Sequence, residues 1–152
     1  MNAELMTDES GRKIINAWDA ITLLREVATQ EPADYVYERP GNGFSCVNLE
    51  KNDKGDWVGS CLVGRVWVLL GMKPDTEWVA GSASYSAQHI FDKKLNVSDD
   101  AVFVLQTAQN LQDGGMPWKH AIEAVEQAYV NLCHTKLYRD AVKAQQQTST
   151  EA

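Results

Sequence analysis

The stretch that decides the fold is Trp57-Val-Gly-Ser-Cys-Leu-Val-Gly-Arg-Val-Trp-Val-Leu-Leu-Gly-Met72. It reads as a short helix, apolar nearly all the way round, entered through Gly-Ser-Cys and closed by Gly71. A helix without a polar face must be surrounded by its own domain or by a second chain. Ser60 is placed to cap its first turn, because a hydroxyl there satisfies an amide that the helix leaves unpaired. Gly71 ends it in the left-handed conformation, and Pro74 prevents continuation. Gly64 lies inside the helix, where glycine costs about 1 kcal/mol against alanine, so a close backbone contact is expected there. Leu62, Val66 and Leu69 share one face. Val63, Trp67 and Leu70 fall on another, which the C-terminal helices, the hairpin or another chain must cover.

Outward from this helix the pattern is regular. On the N-terminal side, Ile14, Ala17, Trp18, Ile21, Leu24, Val27 and Ala28 recur at steps of three and four and predict a helix that Pro32 ends by Glu31. Asp34-Tyr-Val-Tyr-Glu-Arg39 and Phe44-Ser-Cys-Val-Asn-Leu49 alternate in the manner of strands around the turn Pro40-Gly-Asn-Gly43, which predicts a hairpin. A polar loop from Glu50 to Asp56 leads to Trp57-Val58, a candidate third strand. On the C-terminal side, Asp75 to Ala80 reads as a helical turn and Ser82 to Phe91 as a short helix or loop. Ser98 caps a helix with Asp99 and Asp100 in its first turn, where the dipole favours acids. Val102, Leu105, Ala108 and Leu111 are its expected stripe, and Gly114-Gly115 its end. Pro117 opens a last helix, with Trp118, Ala121, Ile122, Val125, Ala128, Tyr129 and Leu132 inward, running to about Lys143.

The expected architecture is therefore mainly helical α+β: an N-terminal helix, a small antiparallel hairpin sheet, a buried central helix and a C-terminal helical hairpin. Residues 1–13 are expected as a flexible N-terminus, 14–144 as one globular domain and 145–152 as a disordered tail. A chain of 152 residues, 44% hydrophobic and 23% charged, suits a single core without metal or disulfide staples.

Composition also narrows function. The net charge of −7 argues against general nucleic-acid binding, which needs a basic surface. Three cysteines (Cys46, Cys61, Cys133) without C-x-x-C spacing fit a reduced cytoplasmic setting. The N-terminus has no apolar signal region, and Leu62 to Leu70 is too short to cross a membrane.

The candidate chemistry is sparse. Cys61 lies at a helix N-terminus, where a thiol is acidified, with His89, His120 and His134 as possible bases, but packing and capping account for it without special chemistry. Cys133 and His134 point about 100° apart on their helix, which is not ligand spacing. No metal, cofactor or catalytic residue is expected. A Gly-rich phosphate loop is absent, since Gly41-Asn-Gly43 and Gly114-Gly115 are turn chemistry. Residues 98–130 have the outline of a helix-turn-helix with Trp118, Lys119 and His120 at the start of its second helix, but Glu123 and Glu126 share that helix. Lys136, Arg139 and Lys143 read as cations near a helix C-terminus. Of the tryptophans, Trp18 and Trp118 belong to core stripes, whereas Trp67 does not.

Asp34-Tyr-Val-Tyr-Glu38, Cys46-Val-Asn-Leu49, Gly59-Ser-Cys-Leu-Val-Gly-Arg-Val66 through Leu-Leu-Gly-Met72, and Gln106 to Asp113 with Trp118 together resemble small proteins encoded by bacteriophages of actinobacteria. The likeness spans residues 18 to 130. It implies a phage setting, no catalytic residues, and action by binding a host protein. The leading functional expectation is a non-enzymatic protein–protein interaction protein that binds a bacterial host protein or itself. Val63, Trp67, Leu70 and Trp78 are its candidate surface. The alternatives are a DNA-binding regulator using residues 98–130 and a thiol-dependent enzyme around Cys61.

Overall fold

The computed structural model describes residues 4–38, 49–72 and 95–150. Their order is β1 (Lys13–Ile15), α1 (Ala17–Ala28), β2 (Leu49–Lys51), β3 (Trp57–Gly59), α2 (Leu62–Leu69), β4 (Leu95–Val97), α3 (Asp99–Asp113) and α4 (Trp118–Thr150). The mainly helical α+β class is as expected.

Helix α1 begins with a reciprocal capping box. The Asn16 side chain accepts the Asp19 amide at 2.9 Å while the Asp19 carboxylate accepts the Asn16 amide at 3.0 Å. The helix therefore starts after Ile14, which lies in β1. Its inward face is Ala17, Ala20, Ile21, Leu23, Leu24 and Val27. Trp18 is not on that face. It is 48% exposed and meets the Tyr129 ring edge-on at 5.5 Å, so its indole caps the α1–α4 seam from outside.

The antiparallel hairpin sheet is present, but between β2 and β3, with Leu49 opposite Gly59 and Lys51 opposite Trp57. The turn between them is held by Asn52, whose side-chain oxygen accepts the amides of Lys54 and Asp56. The expected strand at Asp34–Glu38 does not form. A turn closes from the Tyr35 amide to the Pro32 carbonyl, and the Tyr35 carbonyl accepts the Trp118 amide at 3.0 Å. That segment is spent docking the start of α4. Residues 39–48, and with them the Pro40–Gly43 turn, lie outside the described residues, as do 73–94, including the expected elements at 75–80 and 82–91.

A second pairing was not anticipated. β1 and β4 lie parallel, with Lys13 opposite Leu95 and Ile15 opposite Val97. It ties down the N-terminal segment expected to be flexible. Thr7 bridges to Lys13, and Asp8 accepts from Ser10, Arg12 and Asn96. The Ser10 hydroxyl, ahead of the other donors, holds the Asp8 carboxyl down to about 2. Lys13 Nζ in turn donates to the Leu70 carbonyl at 2.9 Å, closing the C-terminal end of α2.

Helix α2 is the hub. Its cap is Cys61 rather than Ser60, with Sγ accepting the Gly64 amide at 3.4 Å. Ser60, also buried, instead meets the Tyr37 hydroxyl at 3.2 Å. Gly71 takes φ +80°, as its place at the helix end demands. A close backbone approach occurs at Gly59: a Cβ there would lie 2.5 Å from the Arg65 Cα.

Helices α3 and α4 complete the core. Ser98 caps α3 by accepting the Ala101 amide. Its buried face is Ala101, Val104, Leu105, Ala108, Gln109 and Gln112, which keeps Leu105 and Ala108 of the expected stripe but is rotated from it, since Val102 and Leu111 are only half-buried. The rotation brings the Gln112 Oε1 to the Leu62 amide at 2.8 Å, so α3 caps α2. Helix α4 buries Trp118, Ala121, Ile122, Val125 and Tyr129. It continues past Lys143 to Thr150, so residues 145–150 are helical rather than a disordered tail.

Candidate interaction surface

The residues singled out for an interaction surface lie inside the molecule. Val63 is fully buried, Trp67 is 1% exposed and Leu70 5%. Trp78 lies outside the described residues. The two faces of α2 that seemed to need separate cover merge into one wide inward stripe of Leu62, Val63, Val66, Trp67 and Leu70. Val68 and Leu69 are the exposed positions of the helix, and Arg65 is half-buried. A surface cannot be built from Val63, Trp67 and Leu70, because α1, α3 and β3 pack around α2.

The other candidates are placed as follows. Cys61 is fully buried in its cap position. Cys133 is half-buried on α4, with His134 exposed beside it. Among the described residues no group of three or more His, Cys, Asp or Glu side chains is arranged to hold a metal. No helix among them is long and apolar enough to cross a membrane. At the start of α4, Lys119 and His120 are exposed, with Glu123 3.8 Å from His120. Trp118 is 1% exposed and cannot reach a groove. Its ring is packed between Tyr35, edge-on at 4.7 Å, and the Arg65 guanidinium at 4.6 Å, which also pairs with Glu31 at 2.9 Å. This cluster joins the segment after α1 to α2 and α4.

Among the described residues, two surface features remain. A groove of about 380 Å³ runs between the end of α1 and the start of α4, with Ala28, Ala33 and Ile122 among its lining. Its rim charges are largely matched already, Arg25 with Glu126 and Glu31 with Arg65.

The second feature is α4 itself. The inward stripe ends at Tyr129, with Leu132 and Cys133 half-covered. The Cys133 thiol, together with burial, pushes the Tyr129 hydroxyl up to about 12. Every residue from His134 to Thr148 is then exposed except the half-buried Val142. Leu137 is 67% exposed and Tyr138 72%. The helical face that meets the domain up to Leu132 continues as Lys136, Arg139 and Lys143. Lys136 reaches back to Asp100 at 3.1 Å, and none of the three sits in the last helical turn. The projecting half was expected as helix to about Lys143 and extends to Thr150. Its signal was the recurrence of Leu137, Ala141 and Ala144 at helical spacing. Comparison with protein-family models, curated proteins and solved structures finds no match.

Proposed function

We propose that this chain is a non-enzymatic protein–protein interaction protein, and that the C-terminal half of α4 is the element it presents. The observation that carries this reading is the exposure of Leu137 and Tyr138 on a helix that continues about 25 Å beyond its last buried turn. Large apolar side chains on an extended helix face are what helix-mediated recognition uses, because the helix brings its own hydrogen bonds and offers side chains alone. The thiol alternative finds no support in Cys61, whose sulfur is interior and serves as a cap. A phage-encoded protein acting on a host protein in the bacterial cytoplasm is the setting implied by the resemblance of residues 18–130.

The test is capture of proteins from an actinobacterial extract by the wild-type chain and by the Leu137→Asp/Tyr138→Asp variant. Both positions lie outside the core, so circular dichroism and melting temperature should be unchanged. The reading expects captured proteins to be lost with the variant. Equal capture by both would refute it.

A further inference from the structure

We propose that the groove between the end of α1 and the start of α4 is a binding site for a free α-amino acid with an apolar side chain, a function that does not rest on the projecting half of α4. The groove offers about 380 Å³, at the lower end of the ~300–1,000 Å³ usual for small-molecule sites. Its exposed lining is mostly apolar, with Ala28, Ala33 and Ile122 as the floor. Ile122 is also a core residue, 4% exposed, so the floor is anchored in the packed interior. A surface of this kind suits a compact apolar body.

The charges around the floor select what that body carries. Arg25 pairs with Glu126, and Glu31 with Arg65 at 2.9 Å, so these are already spent on each other. Two lining charges are left. Lys119 makes no ion pair among the described residues, and Glu123 meets only the His120 ring at 3.8 Å, beyond hydrogen-bonding distance. They stand one turn apart on α4, where β-carbons lie about 5–6 Å from each other. Their charged ends do not come within ion-pair distance. A ligand with one anion and one cation on a single carbon answers both. Its carboxylate meets the Lys119 ammonium, its ammonium meets the Glu123 carboxylate, and its side chain rests on Ile122 and the two alanines. A ligand of single charge leaves one of the two unanswered. The helix dipoles run the same way, positive at the start of α4 beside Lys119 and negative at the end of α1 beside Ala28.

Lys119 and Glu123 are exposed, and an exposed ion pair strengthens binding only about 2–5-fold. For so small a ligand the dissociation constant is on the order of 1 mM.

Proton–nitrogen correlation spectra of the full chain, titrated with L-leucine to about 20 mM, well above that constant, test the proposal. The amides of Ala28, Ala33 and Ile122 should shift together and saturate. The deaminated acid and the decarboxylated amine of leucine, which keep the side chain and each lack one charge, should bind about 2–5-fold more weakly than leucine itself. The variants should then cross. Lys119→Ala should weaken leucine and the acid but not the amine, and Glu123→Gln should weaken leucine and the amine but not the acid. Both positions are exposed, so each variant should keep the wild-type spectrum away from the groove. Absence of saturable shifts at the three amides, equal affinity for leucine and its single-charge analogues, or indifference to either substitution would each overturn the proposal.

Discussion

Gln112 and Leu62 stand fifty positions apart in the chain, and the Gln112 side-chain oxygen accepts the Leu62 amide at 2.8 Å in the interior. Leu62 is the first residue of α2, so its amide has no acceptor within the helix. Gln112 is 1% exposed, and its Nε2 donates to Asp113 at 3.0 Å. One side chain thus closes α2 from the last turn of α3.

Gln112→Leu keeps the approximate volume and removes the acceptor. A buried donor left without a partner costs about 1–3 kcal/mol. Urea denaturation should show that loss with an unchanged m-value. A difference under about 0.5 kcal/mol, the size of an ordinary surface substitution, would show that the bond contributes nothing.

Trp67 is the largest side chain at the centre of α2, and 1% of it reaches solvent. Trp67→Ala should cost about 3–5 kcal/mol, the loss usual for a buried aromatic. Trp67→Asp should prevent folding altogether, because it adds an unpaired buried charge. The far-ultraviolet circular dichroism of the purified Asp variant decides the point. A folded, soluble Trp67→Asp protein would mean that α2 is not packed within its own chain.

Gly59 and Arg65 approach so closely that a Cβ on residue 59 would fall 2.5 Å from the Arg65 Cα. That neighbour is helix backbone and cannot swing aside. Gly59→Ala should therefore destabilise by about 1–3 kcal/mol, the usual cost of overpacking. Gly115→Ala serves as the comparison: no atom lies within 4 Å of its Cβ position, but its φ of +90° strains any side chain there. If Gly59→Ala melts at the wild-type temperature, the β3–α2 contact is looser than described.

Asp8 fastens the N-terminal segment through Ser10, Arg12 and Asn96, and its carboxyl is held down to about 2. A carboxylate with a depressed value in the folded state stabilises it above the unfolded value near 4, and that contribution is lost as pH falls through the folded one. Thermal melts should show stability declining between about pH 4 and pH 2. Asp8→Asn should be less stable at neutral pH and should flatten that part of the profile. An identical acid profile in the two proteins would contradict the role given to Asp8.

Local signals carried much of this fold. The spacing in α1, α3 and the first half of α4, the Ser98 cap and the stop at Gly71 depend on residues a few positions apart, and the helices form where they indicate. Face assignments were less legible. Trp18 satisfies the spacing of the α1 stripe, yet Ala20 and Leu23 turn inward in its place, because the neighbours of α1 decide which side is covered. In α3 the polar Gln109 and Gln112 turn inward, since a caller for the Gln112 side chain exists only once α2 stands beside it. The candidate surface shows the same limit: periodicity placed Val63, Trp67 and Leu70 on a second face of α2, and packing enclosed them.

What the sequence by itself determined is where the described helices begin, the strand character of Trp57–Val58 and the main chain breaks, all of them consequences of backbone preference and nearby side chains. What only the tertiary structure decided is which faces are interior, the β1–β4 pairing, the cap that α3 supplies to α2, and the projection of α4 beyond the domain. Lys13 and Leu95 pair across more than eighty residues. A three-residue strand has no periodicity to reveal such a partner, and its hydrogen bonds are made only when the rest of the chain brings the two together.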